Sequence, residues 1–222
     1  AARLGPQRTV LAGGRRGVFS FDGGRVGAAM CGGSPAARIR ILRADGNGTV
    51  WAGADDGRVH ACAPAGSQWE AIALPGWTGG RIRAMSIDTR QRVWVGGDGG
   101  NVALGRAGAP FTRWSTGNGV KGASVTAVLG DRTGSVWLGF NGAGLQQWMG
   151  DAWSHRTHWM QSGDTDSMFV FSLTPRPSGG FLAAVFSRGV LAWDGQRMRA
   201  SGRADGITER IHPRKITSSI NL

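Results

Sequence analysis

No run in this 222-residue chain approaches the ~18 apolar residues of a membrane span, and no stretch of ~12 keeps apolar residues at helical spacing without a glycine or proline break. The first absence excludes an apolar spanning helix within this sequence. The second leaves strands as the expected element, in a soluble all-β chain. Cysteine is scarce: Cys31 and Cys62 are the only two, with no C-x-x-C or Cys/His spacing to suggest zinc or redox chemistry. They read as two buried thiols, with a disulfide as the alternative in an oxidising compartment. Lysine is scarce as well. The net charge of +12 comes from 26 basic residues, almost all arginine, against 14 acids. The arginines stand singly or in pairs and never form the basic run of a nucleic-acid arm. A solvated arginine-rich surface is expected, with attraction of an acidic ligand as the functional alternative. No G-x-S-x-G elbow, phosphate-binding G-x-x-x-x-G-K-[ST] or H-E-x-x-H is present. The N-terminal Ala1-Ala2-Arg3-Leu4 has neither an initiator methionine nor an apolar signal core, which fits a processed form or a piece of a longer chain.

What the chain does have is glycine, 39 residues with only 8 prolines, and 10 tryptophans in a composition that is 41% hydrophobic. Such a chain folds and turns often. Self-comparison shows a period. Val50-Trp51-Ala52-Gly53, Val93-Trp94-Val95-Gly96 and Val136-Trp137-Leu138-Gly139 recur at equal spacing, flanked by weaker copies at Val10-Leu11-Ala12-Gly13 and Phe181-Leu182-Ala183-Ala184. Each copy follows an alternating strand (Ile39-Arg40-Ile41-Leu42, Ile82-Arg83-Ala84-Met85, Val125-Thr126-Ala127-Val128, Val170-Phe171-Ser172-Leu173) and a turn such as Asp45-Gly46-Asn47-Gly48 or Asp131-Arg132-Thr133-Gly134. In the Asp turns the carboxylate can accept backbone amides two residues on. A glycine turn and a third strand come next, and a fourth strand closes most units.

Four short antiparallel strands repeated with an aromatic and fixed glycines predict a β-propeller of about five blades, because one blade cannot cover both its faces and must stack on neighbours. The expected blades are approximately 5–36, 37–79, 80–122, 123–167 and 168–210 of a single domain spanning 1–222. The first unit is expected to lack its innermost strand, with 211–222 as a possible closing strand; the alternative is an excerpt of a longer ring. Trp51, Trp94 and Trp137 are read as core. Trp148, Trp153, Trp159 and Trp193 lie outside that register and are read as outer-strand packing, with one or two exposed as the alternative.

The strand, D-x-x-G turn, hydrophobic-Trp-hydrophobic-Gly strand and glycine turn resemble the two-component regulator propeller repeat, best at Asp131-Arg132-Thr133-Gly134-Ser135-Val136-Trp137-Leu138-Gly139. Gly117-Asn118-Gly119-Val120 looks like that family's link into an innermost strand. The chain departs from the family at Ala54, Gly97 and Phe140, where threonine is usual, and at Leu182 in place of tryptophan. The resemblance implies a periplasmic, extracytoplasmic sensor region of a membrane-anchored signalling receptor, without catalysis of its own, binding a carbohydrate or its breakdown product. An output domain or receptor dimer partner is implied with it. The motif residues are structural, so the resemblance carries no binding residue across.

A propeller ligand is expected at the channel mouth, where innermost strands begin and second-to-third-strand turns converge. Those positions hold Arg15, Arg16, Arg38, Asp56, Trp77, Arg81, Asp98, Asn141 and Arg188, with Asp55, Lys121, Asp164 and Asp166 beside them. Guanidinium forks suit carboxylates, carboxylates suit sugar hydroxyls, and an indole suits a sugar face. No cofactor, metal or nucleic-acid partner is expected. Two alternatives remain: a metal-assisted lyase or hydrolase similar to the streptogramin lyases, which would need His60, His155, His158 or His212 to converge, and a protein-interaction platform.

Overall fold

The computed structural model describes residues 2–4, 9–22, 24–28, 31, 33, 35, 37–66, 68–77, 79–150, 153–154 and 168–202. These form twenty strands and one turn of 3-10 helix at Thr116–Asn118. The strands make five four-stranded antiparallel sheets, each from consecutive chain. The first sheet is β1 (Ala2–Leu4), β2 (Thr9–Gly14), β3 (Gly17–Asp22) and β4 (Arg25–Ala28). The second is β5 (Ile39–Ala44), β6 (Val50–Ala54), β7 (Val59–Cys62) and β8 (Glu70–Ile72). The third is β9 (Ile82–Ile87), β10 (Val93–Gly97), β11 (Val102–Gly105) and β12 (Thr112–Trp114). The fourth is β13 (Val125–Gly130), β14 (Val136–Phe140), β15 (Leu145–Trp148) and β16 (Trp153–Ser154). The fifth is β17 (Val170–Pro175), β18 (Phe181–Val185), β19 (Gly189–Trp193) and β20 (Met198–Ala200).

First strands neighbour one another in chain order, β1 with β5, β5 with β9, β9 with β13 and β13 with β17. The sheets therefore stack like blades with their first strands along one edge. One expectation is corrected here. The first sheet does not lack its innermost strand, because Ala2–Leu4 pairs with Thr9–Leu11 and takes that place. The three-residue β1 is joined to β2 without the D-x-x-G turn of the later copies and escapes pattern reading. Residues 211–222 lie outside the described residues.

The core consists of four slabs, one between each pair of consecutive sheets. Trp51, Trp94 and Trp137 sit at its centre and are fully buried, as their register implies. Their indole N–H groups each donate at 3.0 Å to the turn aspartate six residues earlier, Asp45, Asp88 and Asp131. The other carboxylate oxygen accepts the backbone N–H groups two and four residues on. One side chain thus closes the turn and satisfies the buried indole. Trp148 and Trp193 are buried too, on the strands after the tryptophan strand.

The glycine of the motif has a steric role. A Cβ on Gly13, Gly53, Gly96 or Gly139 would stand 2.5–2.6 Å from a branched methyl of Ile39, Ile82, Val125 or Val170 on the next sheet's first strand. Each glycine is the hole that receives the neighbour's knob.

The cysteine reading is also corrected. Cys31, after β4, and Cys62, at the end of β7, form a disulfide with Cα atoms 6.2 Å apart. Stacking of the second sheet on the first brings them together, a juxtaposition that a 31-residue spacing does not reveal.

Candidate functional site

At the end where the first strands begin, four sheets repeat one backbone device. The N–H of Asp55, Asp98, Asn141 and Phe186, just past the second strand, donates to the carbonyl of Arg38, Arg81, Ser124 and Phe169, just before the first strand, at 2.9–3.2 Å. In the same sheets the first-to-second strand register shifts by one residue, leaving Arg40, Arg83, Thr126 and Phe171 as the bulged residues. A bulge re-aims its side chain without dissolving the sheet. Across these four sheets the backbone is therefore constant while three side-chain positions vary.

On the second and third sheets the variable positions are ionic. Arg40 and Arg83 donate charge-assisted hydrogen bonds to Asp55 and Asp98. Arg38 Nε lies 3.5 Å from the other Asp55 oxygen, and the Arg81 backbone N–H donates to Asp98 at 3.1 Å. The hydrogen bond from Arg40, aided by the charges of Arg40, Arg38 and Arg81, outweighs desolvation and holds the Asp55 carboxyl below its usual range. Burial opposes ionisation at Asp98, but Arg83, the Arg81 N–H and both arginine charges overcome it and lower that carboxyl too. The Arg81 charge favours ionisation of both carboxylates, while its backbone N–H donates to Asp98 alone. Four guanidiniums face two carboxylates, so the rim here keeps a surplus of positive charge.

The fourth sheet carries Ser124, Thr126 and Asn141 at these positions. The fifth is aromatic: Phe169, Phe171 and Phe186 are all exposed, with rings edge-on at 6.1 and 6.2 Å. Ionic, polar and aromatic segments follow one another along this end of the stacked sheets.

Of the residues chosen from sequence, Arg38, Arg81, Asp98 and Asn141 occupy this device. Arg15 and Arg16 are exposed in the β2–β3 turn, Arg15 at the register of Asp55, and Arg188 is exposed in the β18–β19 turn. Asp56 and Trp77 come together next to the device, lining a cleft of about 380 Å³ with Arg58, Ile72 and Leu74. Trp77 spans the seam between the second and third sheets, beside Gly57 and Gly97, and its buried indole N–H meets no acceptor among the described residues. Lys121 is half-buried in the link before β13, and Asp164 and Asp166 fall outside the described residues. Sequence reasoning missed Arg40, Arg83, Thr126, Phe171, Phe169 and Phe186. Aligning the copies column by column, and asking which columns vary beside the invariant ones, would have found them.

His60 is buried on β7, and desolvation pulls its pKa down despite Asp56. His155, His158 and His212 lie outside the described residues, and no cluster of three metal-ligating side chains occurs among the described ones.

No family model matches the chain, and neither does any curated protein. Solved structures do. The chain is similar to PorZ, a surface component of the type-IX secretion system of Porphyromonas gingivalis, at 17% identity and a TM-score of 0.71, over 90% of this chain and 33% of PorZ. It is similar to the extracellular domain of the hybrid two-component system BT4673 from B. thetaiotaomicron at 16% identity and a TM-score of 0.69, over 87% of this chain and 26% of that domain. It is also similar to virginiamycin B lyase from Staphylococcus aureus at 9% identity and a TM-score of 0.64, over 88% of this chain and 70% of the lyase. The chain thus spans about a third of PorZ and a quarter of the Bacteroides domain. At these identities the likeness is one of fold.

Proposed function

We propose that this chain is a non-catalytic, ligand-binding sensor propeller, the extracytoplasmic input region of a two-component or related signalling receptor, and that its ligand is an acidic carbohydrate. The observation that carries the reading is the ionic cluster of Arg38, Arg40, Arg81 and Arg83 around Asp55 and Asp98, on a backbone device that four sheets share. A carboxylated sugar meets guanidinium forks there, the Asp55 and Asp98 carboxylates accept its hydroxyls, and an exposed phenylalanine face suits an apolar sugar face. The disulfide supports an oxidising compartment. The fold shared with extracellular domains of two-component systems supports the signalling role, with binding biasing how the propeller docks on its output partner.

The test is calorimetric titration with an oligogalacturonide and its neutral counterpart at low and high salt. The acidic ligand binds more tightly, and its affinity falls with salt because surface charges are screened beyond ~8 Å. Arg81→Ala, removing one charge-assisted contact, weakens it about tenfold. Equal affinity at both salt concentrations refutes the charge reading, and a stable captured protein with no small-molecule thermal shift favours the interaction-platform alternative.

A further inference from the structure

Consecutive sheets pack through one interface that occurs four times, and the first sheet displays the receiving half of a fifth. In each copy the earlier sheet contributes the face bearing Leu11, Trp51, Trp94 or Trp137. The later sheet contributes the opposite face: Val50, Ala52 and Cys62 in the second, Val93, Val95 and Ala103 in the third, Val136, Leu138 and Trp148 in the fourth, Phe181, Ala183, Leu191 and Trp193 in the fifth. Strand pairing sets the corresponding positions of the first sheet. Val10 faces Phe21, Ala12 faces Phe19, and Phe21 faces Val26 on β4. Leu11 and Val18 point the other way, into the second sheet.

Three of these positions, Phe19, Phe21 and Val26, are open in the first sheet, while most of their described counterparts in later sheets are buried. Phe21 is 42% exposed, where its counterparts Cys62, Trp148 and Trp193 are 0%, 7% and 4%. Phe19 is 36% exposed, where Ala103, Gln146 and Leu191 are 0%, 0% and 4%; Val26 is 63% exposed, where Met198 is 6%. Among the described residues no element, the fifth sheet included, covers that face. An apolar face of this kind in a stacked-repeat fold is an interface without its partner.

We propose that this face of the first sheet is the docking seat of a further four-stranded sheet of the same repeat, supplied by polypeptide outside residues 1–222. The occupant follows from the seat. Four copies of the interface show what such a face receives: a sheet presenting a large apolar side chain and a glycine two residues on, with its third strand beside them.

Residues 1–222 alone are compared with the same residues joined to the flanking sequence of their native gene. In the longer chain, Phe19→Asp with Phe21→Asp lowers Tm by about 10 °C or more, as expected for burying charge in a core interface. In 1–222 the same pair shifts Tm by under about 2 °C, as surface changes do. A second variant guards against misfolding: Val26→Cys reacts with a maleimide at least about tenfold more slowly in the longer chain, because a docked sheet shields it. An equal fall of Tm in both chains overturns the proposal in favour of closure by the fifth sheet. A dimer of 1–222 dispersed by the double variant assigns the seat to a second copy. Equal reactivity of the new cysteine in both chains, or flanking sequence without the repeat, also overturns it.

Discussion

Asp88 concentrates the residue-scale logic of the fold. It is almost fully buried, and it accepts the Trp94 indole, the Arg90 and Arg92 backbone N–H groups and the Arg92 guanidinium, the last at 2.7 Å. Arg92 in turn lies 5.7 Å over the Trp94 ring, and Trp94 stacks on Trp114. Burial disfavours the charged carboxyl, but those hydrogen bonds and the Arg92 charge outweigh it and depress its pKa. A folded-state pKa below the unfolded value means stability that is full above the unfolded pKa and lost as pH falls through the folded one. Denaturant titrations should therefore show stability falling below about pH 4, and Asp88→Asn should flatten that fall while lowering stability at pH 7. An unchanged slope in the variant would show that Asp88 is not the group responsible. The aspartate and the tryptophan disappear together in the fifth sheet, where Arg176 and Leu182 hold the corresponding positions. With no buried indole to satisfy, no carboxylate is needed.

At the scale of the element, the second strand is set by its glycine as much as by its tryptophan. Gly96 leaves its hypothetical Cβ 2.5 Å from Val125, so Gly96→Ala must push the third and fourth sheets apart. We expect a cost of about 2–3 kcal/mol in chemical denaturation, typical of overpacking. Ala184 holds the equivalent place in the fifth sheet, and Ala184→Gly there should cost only about 1 kcal/mol, the backbone-entropy difference in a strand. Similar losses at both positions would argue against the knob-and-hole account. The rim device is likewise an element property. The bulge and the cross-turn hydrogen bond are backbone features common to four sheets; at the bulged position Arg40, Arg83 and Phe171 are exposed, while Thr126 is half-buried with its hydroxyl against the Gly139 and Val170 carbonyls. In sequence those four residues sit inside ordinary alternating strands, so nothing local marks them as different from their neighbours.

For the whole molecule, the disulfide ties the connection after the first sheet to the third strand of the second. It closes a loop of 31 residues, for which chain entropy alone implies about 3.5 kcal/mol. Reduction should lower Tm by about 10 °C, and a melting curve indifferent to reductant would show the bridge absent in solution. The five-sheet stack was legible in advance because W-x-G strands and Asp turns recur, and each copy reports local hydrogen bonding and pleat alternation. The site was half legible. Arg38, Arg81, Asp98 and Asn141 stand at positions that any strand–turn reading flags as strand entries and exits.

The sequence by itself determined the period, the strands, the turn chemistry and the buried tryptophans, since these depend on residues within a few positions of one another. Tertiary structure alone decided that Cys31 meets Cys62, that Arg38 and Arg40 both meet Asp55, and that Phe19 and Phe21 stay open on the first sheet. Each of those outcomes depends on how strands pair and sheets stack beyond the local sequence, and a local pattern carries no information about which neighbour a face will meet.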